Sequence, residues 1–153
     1  MILTEIGLVH SCFKQKFGTP RQSGLCKNAK GTIEIFKEFS HEDSVRELES
    51  FSHIWILFHF HKVKSWNPTV RPPRLGGTKK VGVFASRSPF RPNPIGMSIL
   101  KLEEIKRKNG QIFIDVSGLD LLDQTPVFDI KPYIPSIDMR SDTKDGWQEK
   151  EFE

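Results

Sequence analysis

Alternation of apolar and polar positions dominates this chain. In Phe51–His61, read as FSHIWILFHFH, Ile54, Ile56, Phe58 and Phe60 fall on one side and His53, Trp55, Leu57, His59 and His61 on the other. A period of two marks a strand, and apolar groups on both faces predict a central one. Met1–Ser11 predicts a first strand, with Ile2, Thr4, Ile6 and Leu8 on one side. Gly31–Phe36 predicts a short second strand through Ile33 and Ile35. Met97–Ile105 and Gln111–Val116 read as a hairpin, because Asn109-Gly110 between them is a strong two-residue turn signal. Val127–Lys131 predicts one more strand before Pro132 and Pro135. Ser40 followed by Asp43 looks like a capping box, so a brief helix is predicted from about His41 to Ser50, burying Val45 and Leu48. Six or so strands, one helix and tight turns predict a mainly β domain, a compact β-barrel.

The connections carry the chemistry. Val81–Gly96, VGVFASRSPFRPNPIG, starts as a strand and breaks at Pro89, Pro92 and Pro94. Proline fixes the backbone and forbids a regular ladder. Arg87 and Arg91 are held in that stiff loop with Ser88 and Asn93 between them. Such a loop either presents cations and hydrogen-bonding groups to an anionic or nucleotide-like ligand or is a stiff surface connection with solvated arginines. Lys64–Lys80, with Pro68, Pro72, Pro73, Gly76 and Gly77, is longer than an ordinary connection. Cys12–Lys30 interleaves Phe13 and Phe17 with Lys14, Lys16 and Arg21. Those aromatics either stack on a base or pin the loop to the core.

At 153 residues the chain is expected to form one domain with a real core. Its net charge of +4 says less than the distribution. Between Glu49 and Glu103 there is no acidic residue, while Lys62, Lys64, Arg71, Arg74, Lys79, Lys80, Arg87, Arg91 and Lys101 fall inside that interval. A one-signed stretch of this length suits a phosphate-rich partner, unless the fold spreads its charges among neutralising neighbours. Cys12 and Cys26 are too few for a disulfide scaffold. No charged-then-apolar leader opens the chain and no run of about 18 apolar residues occurs. The expectation is a cytoplasmic protein with no membrane segment. His59 and His61 share a side of their strand but lack neighbouring ligands in sequence, so no metal is expected. The dinucleotide fingerprint, the glycine-rich phosphate loop ending in GK[ST] and the serine nucleophile elbow are all absent from the sequence.

Three long motifs then agree in order: KFGTPRQ, PPRLGGTKKVGVFASRSPFRPNPIGMSILKLEEI and DLLDQTPVFDIKPYIP. Together they resemble the TsaA-like, or tRNA methyltransferase O, family, over Ile6 to about Pro135. The resemblance implies a β-barrel enzyme that uses S-adenosyl-L-methionine, acts as a homodimer, and methylates N6 of threonylcarbamoyladenosine at position 37, in the anticodon loop of tRNA. It implies cofactor contacts at Pro20, Arg21, Gln22, His61, Lys62, Arg91, Leu122, Asp123, Gln124 and Thr125. Residues 1–135 would form the catalytic domain, and 136–153 a polar tail or the start of a missing C-terminal domain.

For the acceptor proton, Asp129 and His61 are candidate bases and Tyr133 a candidate orienting group. Proximity alone would also suffice, and Asp129 reads equally as a structural acid. Lys64, Arg71, Arg74, Lys79, Lys80 and Arg87 are the candidate tRNA-backbone contacts. Trp66 and Phe90 are candidates for stacking on the target base, Phe90 more readily as core. Two competing functions are a non-catalytic RNA-binding barrel and an enzyme using the same cofactor on another substrate.

Overall fold

The computed structural model describes residues 1–15, 18–21 and 23–151. Its strands are β1 (Gly7–Ser11), β2 (Lys30–Ile35), β3 (His53–His59), β4 (Thr69–Val70), β5 (Val81–Gly82), β6 (Ile95–Lys108), β7 (Gln111–Ser117) and β8 (Pro126–Pro132). The chain divides into two compact units, one of Met1–His61 with Ile95–Tyr133, the other of Lys62–Pro94 with Ile134–Glu153.

The first unit is a closed barrel of six strands in the order β1-β2-β7-β6-β3-β8, every neighbouring pair antiparallel. Closure leaves no sheet edge along most of its height. Inward positions alternate as the sequence predicts: Ile54, Ile56 and Phe58 of β3 are buried, as are Ile112, Ile114 and Val116 of β7. Val9, Ile33, Leu100 and Val127 complete a dry centre. Burying a side chain of this size stabilises by roughly 1.5–3 kcal/mol, so these positions carry most of the fold.

β6 is fourteen residues long and serves two neighbours. Ile95–Lys101 pairs with β3 and Lys101–Lys108 with β7, with a register shift between Leu102 and Glu104. Asn109 and Gly110 turn the β6–β7 hairpin with φ of 52° and 73°, the pair of positive values that a type I′ turn demands.

Three predicted elements differ. The first strand begins at Gly7 rather than Met1, and Met1, Ile2 and Leu3 are exposed. Val81–Phe84 forms only two strand residues before a 3₁₀ turn at Val83–Ala85. The helix at His41–Ser50 is instead two 3₁₀ turns, Glu42–Val45 and Leu48–Ser50. Ser40 does not cap it. Its hydroxyl donates to the Ile35 carbonyl and accepts the Ile112 amide, so the barrel claims the capping group. Glu47 at φ 65° breaks the segment, and Arg107 bonds both Glu42 and Glu49 across the break.

The second unit holds the two-stranded β4–β5 sheet, a 3₁₀ turn at Pro73–Leu75, the short helix α1 (Pro135–Asp138) and a 3₁₀ segment at Gly146–Glu151. Its polar terminal part is fastened at the Trp147 indole, which donates to the Ala85 carbonyl at 2.7 Å. No helix among the described residues is long and apolar enough to cross a membrane.

Candidate functional site

One end of the barrel gathers its long connections. There β1, β3 and β7 finish and β2, β6 and β8 begin, as the pairings Ser11–Gly31, Lys30–Ser117, His59–Ile95 and Leu8–Pro126 require. The loop 12–29 and the turn 118–125 therefore meet at this end, and the chain leaves β3 there through His61 and returns there at Ile95. The buried polar side chains of the described residues, Ser11, Ser98, Ser117 and Thr125, belong to this half as well. An otherwise apolar barrel is thus polar at one mouth.

The early loop and the late turn are tied together. Asp123 accepts the Ser11 amide on Oδ1 at 2.9 Å, pairs with Lys14 through Oδ2 at 2.5 Å, and donates its own amide to the Phe13 carbonyl at 2.8 Å. The Lys14 ammonium, helped by the Ser11 amide, holds the Asp123 carboxyl below the usual carboxylate range. Gln124, at φ 64°, donates its amide to the Val9 carbonyl, and its side-chain amide lies 3.4 Å from His10 Nδ1. The Thr125 hydroxyl donates to the Leu122 carbonyl at 2.7 Å and so closes its own turn. Asp123 and Thr125 thus build the turn that would present Leu122 and Gln124. Further along, the Gly24 amide donates to the Gly118 carbonyl at 3.0 Å, and Ser23 Oγ accepts the Ile99 amide at 3.3 Å. Pro20 is half-buried and Arg21 exposed just before these contacts, while Gln22 lies outside the described residues.

Sequence reasoning missed two members of this mouth. Asp120 accepts the hydroxyl of Ser98, an inward-facing serine of β6, at 2.8 Å. Ser23 adjoins the PRQ motif and bonds the β6 backbone. The available signal was a serine at an inward position of an otherwise apolar strand.

Other candidates lie elsewhere in this unit. His61 is half-buried and Lys62 exposed where the chain leaves the barrel. Tyr133 lies at the opposite end of β3, where its amide donates to the His53 carbonyl and its ring meets His53 and Trp55 edge-on at 6.4 and 6.0 Å. A seven-residue strand spans roughly 20 Å, so the barrel does not bring Tyr133 to His61. Asp129, opposite Leu57, accepts the Ile130 amide at 2.9 Å and pairs with Lys131 at 2.8 Å. That pairing raises the Lys131 ammonium above its ordinary value.

In the second unit Lys64, Arg71, Arg74, Lys79, Lys80 and Arg87 are all exposed. Arg74 also reaches Gln148 at 3.2 Å. Arg91 donates to the Val83 and Ser86 carbonyls at 2.9 and 2.7 Å and lies over the exposed Phe84 ring. Its guanidinium organises the proline loop from inside. Trp66 is exposed and Phe90 half-buried. Among the described residues no group of three or more His, Cys, Asp or Glu is placed to hold a metal ion.

Solved structures match this closed barrel. TrmO from Pseudomonas aeruginosa superposes with a TM-score of 0.77 at 39% identity, covering 96% of this chain and 62% of that one. The chain belongs to the family of the tRNA-methyltransferase O N-terminal domain, whose profile matches residues 8–139. This is a family of S-adenosylmethionine-dependent methyltransferase-like proteins. The tRNA (adenine(37)-N6)-methyltransferase of Escherichia coli is 52% identical over 133 residues, 86% of this chain and 57% of that protein. A probable S-adenosyl-L-methionine-binding protein of Pyrococcus abyssi is 43% identical over 145 residues, 95% of this chain and 74% of that protein. The chain thus spans somewhat under two thirds of the Escherichia coli and Pseudomonas relatives.

Proposed function

We propose that this protein transfers a methyl group from S-adenosyl-L-methionine to N6 of threonylcarbamoyladenosine at position 37 of tRNA. The observation that carries the proposal is the joining of loop 12–29 to turn 118–125 at the polar mouth, through Asp123–Ser11, Asp123–Phe13 and Gly24–Gly118. These stretches contain two of the motifs that the family resemblance assigns to the cofactor, and a relative of 52% identity is named a tRNA (adenine(37)-N6)-methyltransferase.

The donor supplies a methyl group on a sulfonium, already electrophilic. The mouth suits such a cation: neutral hydrogen-bonding groups at Ser23, Gln124 and the turn backbone, and the Asp120 carboxylate, while Asp123 is engaged by Ser11 and Lys14. The protein's task is alignment of the acceptor nitrogen with the methyl carbon. As the N–CH3 bond forms and the S–CH3 bond breaks, the N6 proton leaves, and the neighbouring carbamoyl group eases that loss. His61, at the barrel end, is the base we favour over Asp129, whose oxygens serve Ile130 and Lys131. Pro20, Arg21, Gln22, Lys62, Arg91, Leu122, Gln124 and Thr125 are proposed donor contacts, and Asp123 joins them as the group that fixes their turn. Tyr133 packs at the far end and is proposed as structural. The exposed cations from Lys64 to Arg87 are proposed to hold the tRNA backbone.

A homodimer completes the proposal. On the outer face, Trp55, Leu57 and His59 of β3 stand beside Ile99, Met97 and Ile95 of β6. Ile95 and Met97 are exposed, so an apolar strip is offered to a second copy. The working place proposed is the cytoplasm, where tRNA is.

The test is methyl transfer from labelled S-adenosylmethionine into tRNA with and without the threonylcarbamoyl group. Transfer into the modified RNA alone is expected. Equal labelling of both RNAs would sink the substrate assignment, and no labelling of either would sink the enzyme.

A further inference from the structure

The second unit carries an aromatic ring that its fold leaves uncovered. Phe84 is 78% exposed, although it sits in the middle of the 3₁₀ turn Val83–Ala85, where its neighbour Val83 is buried. That turn is fixed on both sides of the ring. The Val83 amide donates to the Pro68 carbonyl at 2.9 Å, and the Val83 carbonyl accepts the Ser86 hydroxyl and the Arg91 guanidinium at 2.8 and 2.9 Å. The Ser86 carbonyl accepts the same guanidinium, and the Ala85 carbonyl accepts the Trp147 indole, each at 2.7 Å. The Arg91 guanidinium lies 5.8 Å from the Phe84 ring centroid, over one face. It is attracted to that face by the ring quadrupole, and the other face is left to solvent.

The charges around this ring are of one sign. Lys79, Lys80, Arg87 and Arg91 stand within a few residues of it along the chain, and among the described residues none of the four pairs with a carboxylate. Residues 62–94 contain no acidic side chain. The unit's carboxylates belong to its terminal part, where Asp138 and Glu149 accept the Ile134 and Asp145 amides. A ring with one open face, flanked by unneutralised cations, matches a polymer that has flat π-faced groups on an anionic backbone. A second copy of this chain, with its net charge of +4, would bring like charge to the same place.

We infer that Phe84 is a seat for one unstacked base of the anticodon loop, with the flanking cations on the phosphates beside it. The inference rests on tRNA being the substrate and adds the residue that holds a base. In a duplex the base faces are covered by their neighbours, whereas a single-stranded loop can turn a base out onto an aromatic side chain. The exposed ring therefore favours the loop over the helical stem, which the cations alone cannot do. The bonds at Val83, Ala85 and Ser86 give this exposed ring its use: a ring already held in place loses little freedom on binding.

Binding isotherms of the full chain with a tRNA carrying adenosine at position 37, taken at several salt concentrations, test this on wild type, Phe84→Leu and Phe84→Tyr. An exposed side chain adds little to stability, so all three are expected to fold. Leucine keeps an apolar group and loses the π face, whereas tyrosine keeps the ring. Phe84→Leu should bind at least about five-fold more weakly at every salt concentration, with the salt slope unchanged. Phe84→Tyr should bind as wild type does, and S-adenosylhomocysteine should bind all three alike. Equal tRNA binding by wild type and Phe84→Leu, or an equal loss in both variants, would overturn the inference and leave the tRNA proposal standing. A variant that changes the oligomeric state in light scattering would overturn it in favour of a contact between copies. A loss of S-adenosylhomocysteine binding in Phe84→Leu would overturn it in favour of a place in the donor site. If wild type binds no tRNA, the tRNA proposal fails and takes the inference with it.

Discussion

Asp123 offers the sharpest test of how the barrel mouth is held together. Its carboxylate is only 17% exposed and serves the Ser11 amide and the Lys14 ammonium at once. Asp123→Ala leaves the amide of buried Ser11 without its acceptor, which costs about 1–3 kcal/mol. Lys14 is 66% exposed, so the lost ion pair adds at most about 1 kcal/mol. Asp123→Asn keeps an acceptor oxygen and loses only the charge, for about 1 kcal/mol. With a urea slope of about 2 kcal/mol per molar, the alanine variant should unfold roughly 1 M earlier than wild type at pH 7, and the asparagine variant roughly half that. The pH dependence has a definite sign. The folded carboxyl is depressed, mainly by Lys14. Its contribution is therefore present above the unfolded value of about 3.9 and is lost as pH falls through the folded value. The gap between wild type and Asp123→Asn should accordingly shrink below pH 4. An alanine variant as stable as wild type at pH 7, or two variants that behave identically, would refute the clasp.

Gly96→Ala would place a methyl group 2.3 Å from the buried Phe58 ring, so it should lower stability by about 1–3 kcal/mol through overpacking, measured by the same urea titration. Neutralising Lys79 and Lys80 together should weaken binding to every tRNA alike and lower the salt slope by about 2, read from binding isotherms between low and moderate salt. Loss confined to one tRNA would contradict a backbone role.

Much of the barrel was legible in the sequence because its signals are local. The period of two in β3 and the Asn109-Gly110 turn act over a few residues, and nothing in the tertiary structure opposes them. The predicted helix failed where a distant group intervened: Ser40 satisfies barrel backbone at Ile35 and Ile112 instead of a helix end. Met1–Ile6 has a strand-like pattern but no partner strand for its first residues. The site was legible as separate motifs only. That Gly24 meets Gly118, or that Asp123 reaches back to Ser11, depends on a closure order of strands that no local pattern encodes.

A methyl donor bound, as proposed, at the barrel end where loop 12–29 meets turn 118–125 would perturb that end and leave the opposite one unchanged. Amide chemical shifts of the labelled chain, followed as S-adenosylhomocysteine is added, test it most directly. Saturable shifts at Ser23, Gly24 and Asp120–Gln124, with the Asn109–Gly110 turn unmoved, are expected. Shifts centred on that hairpin or on the outer face of β1 and β2, with the mouth silent, would contradict it.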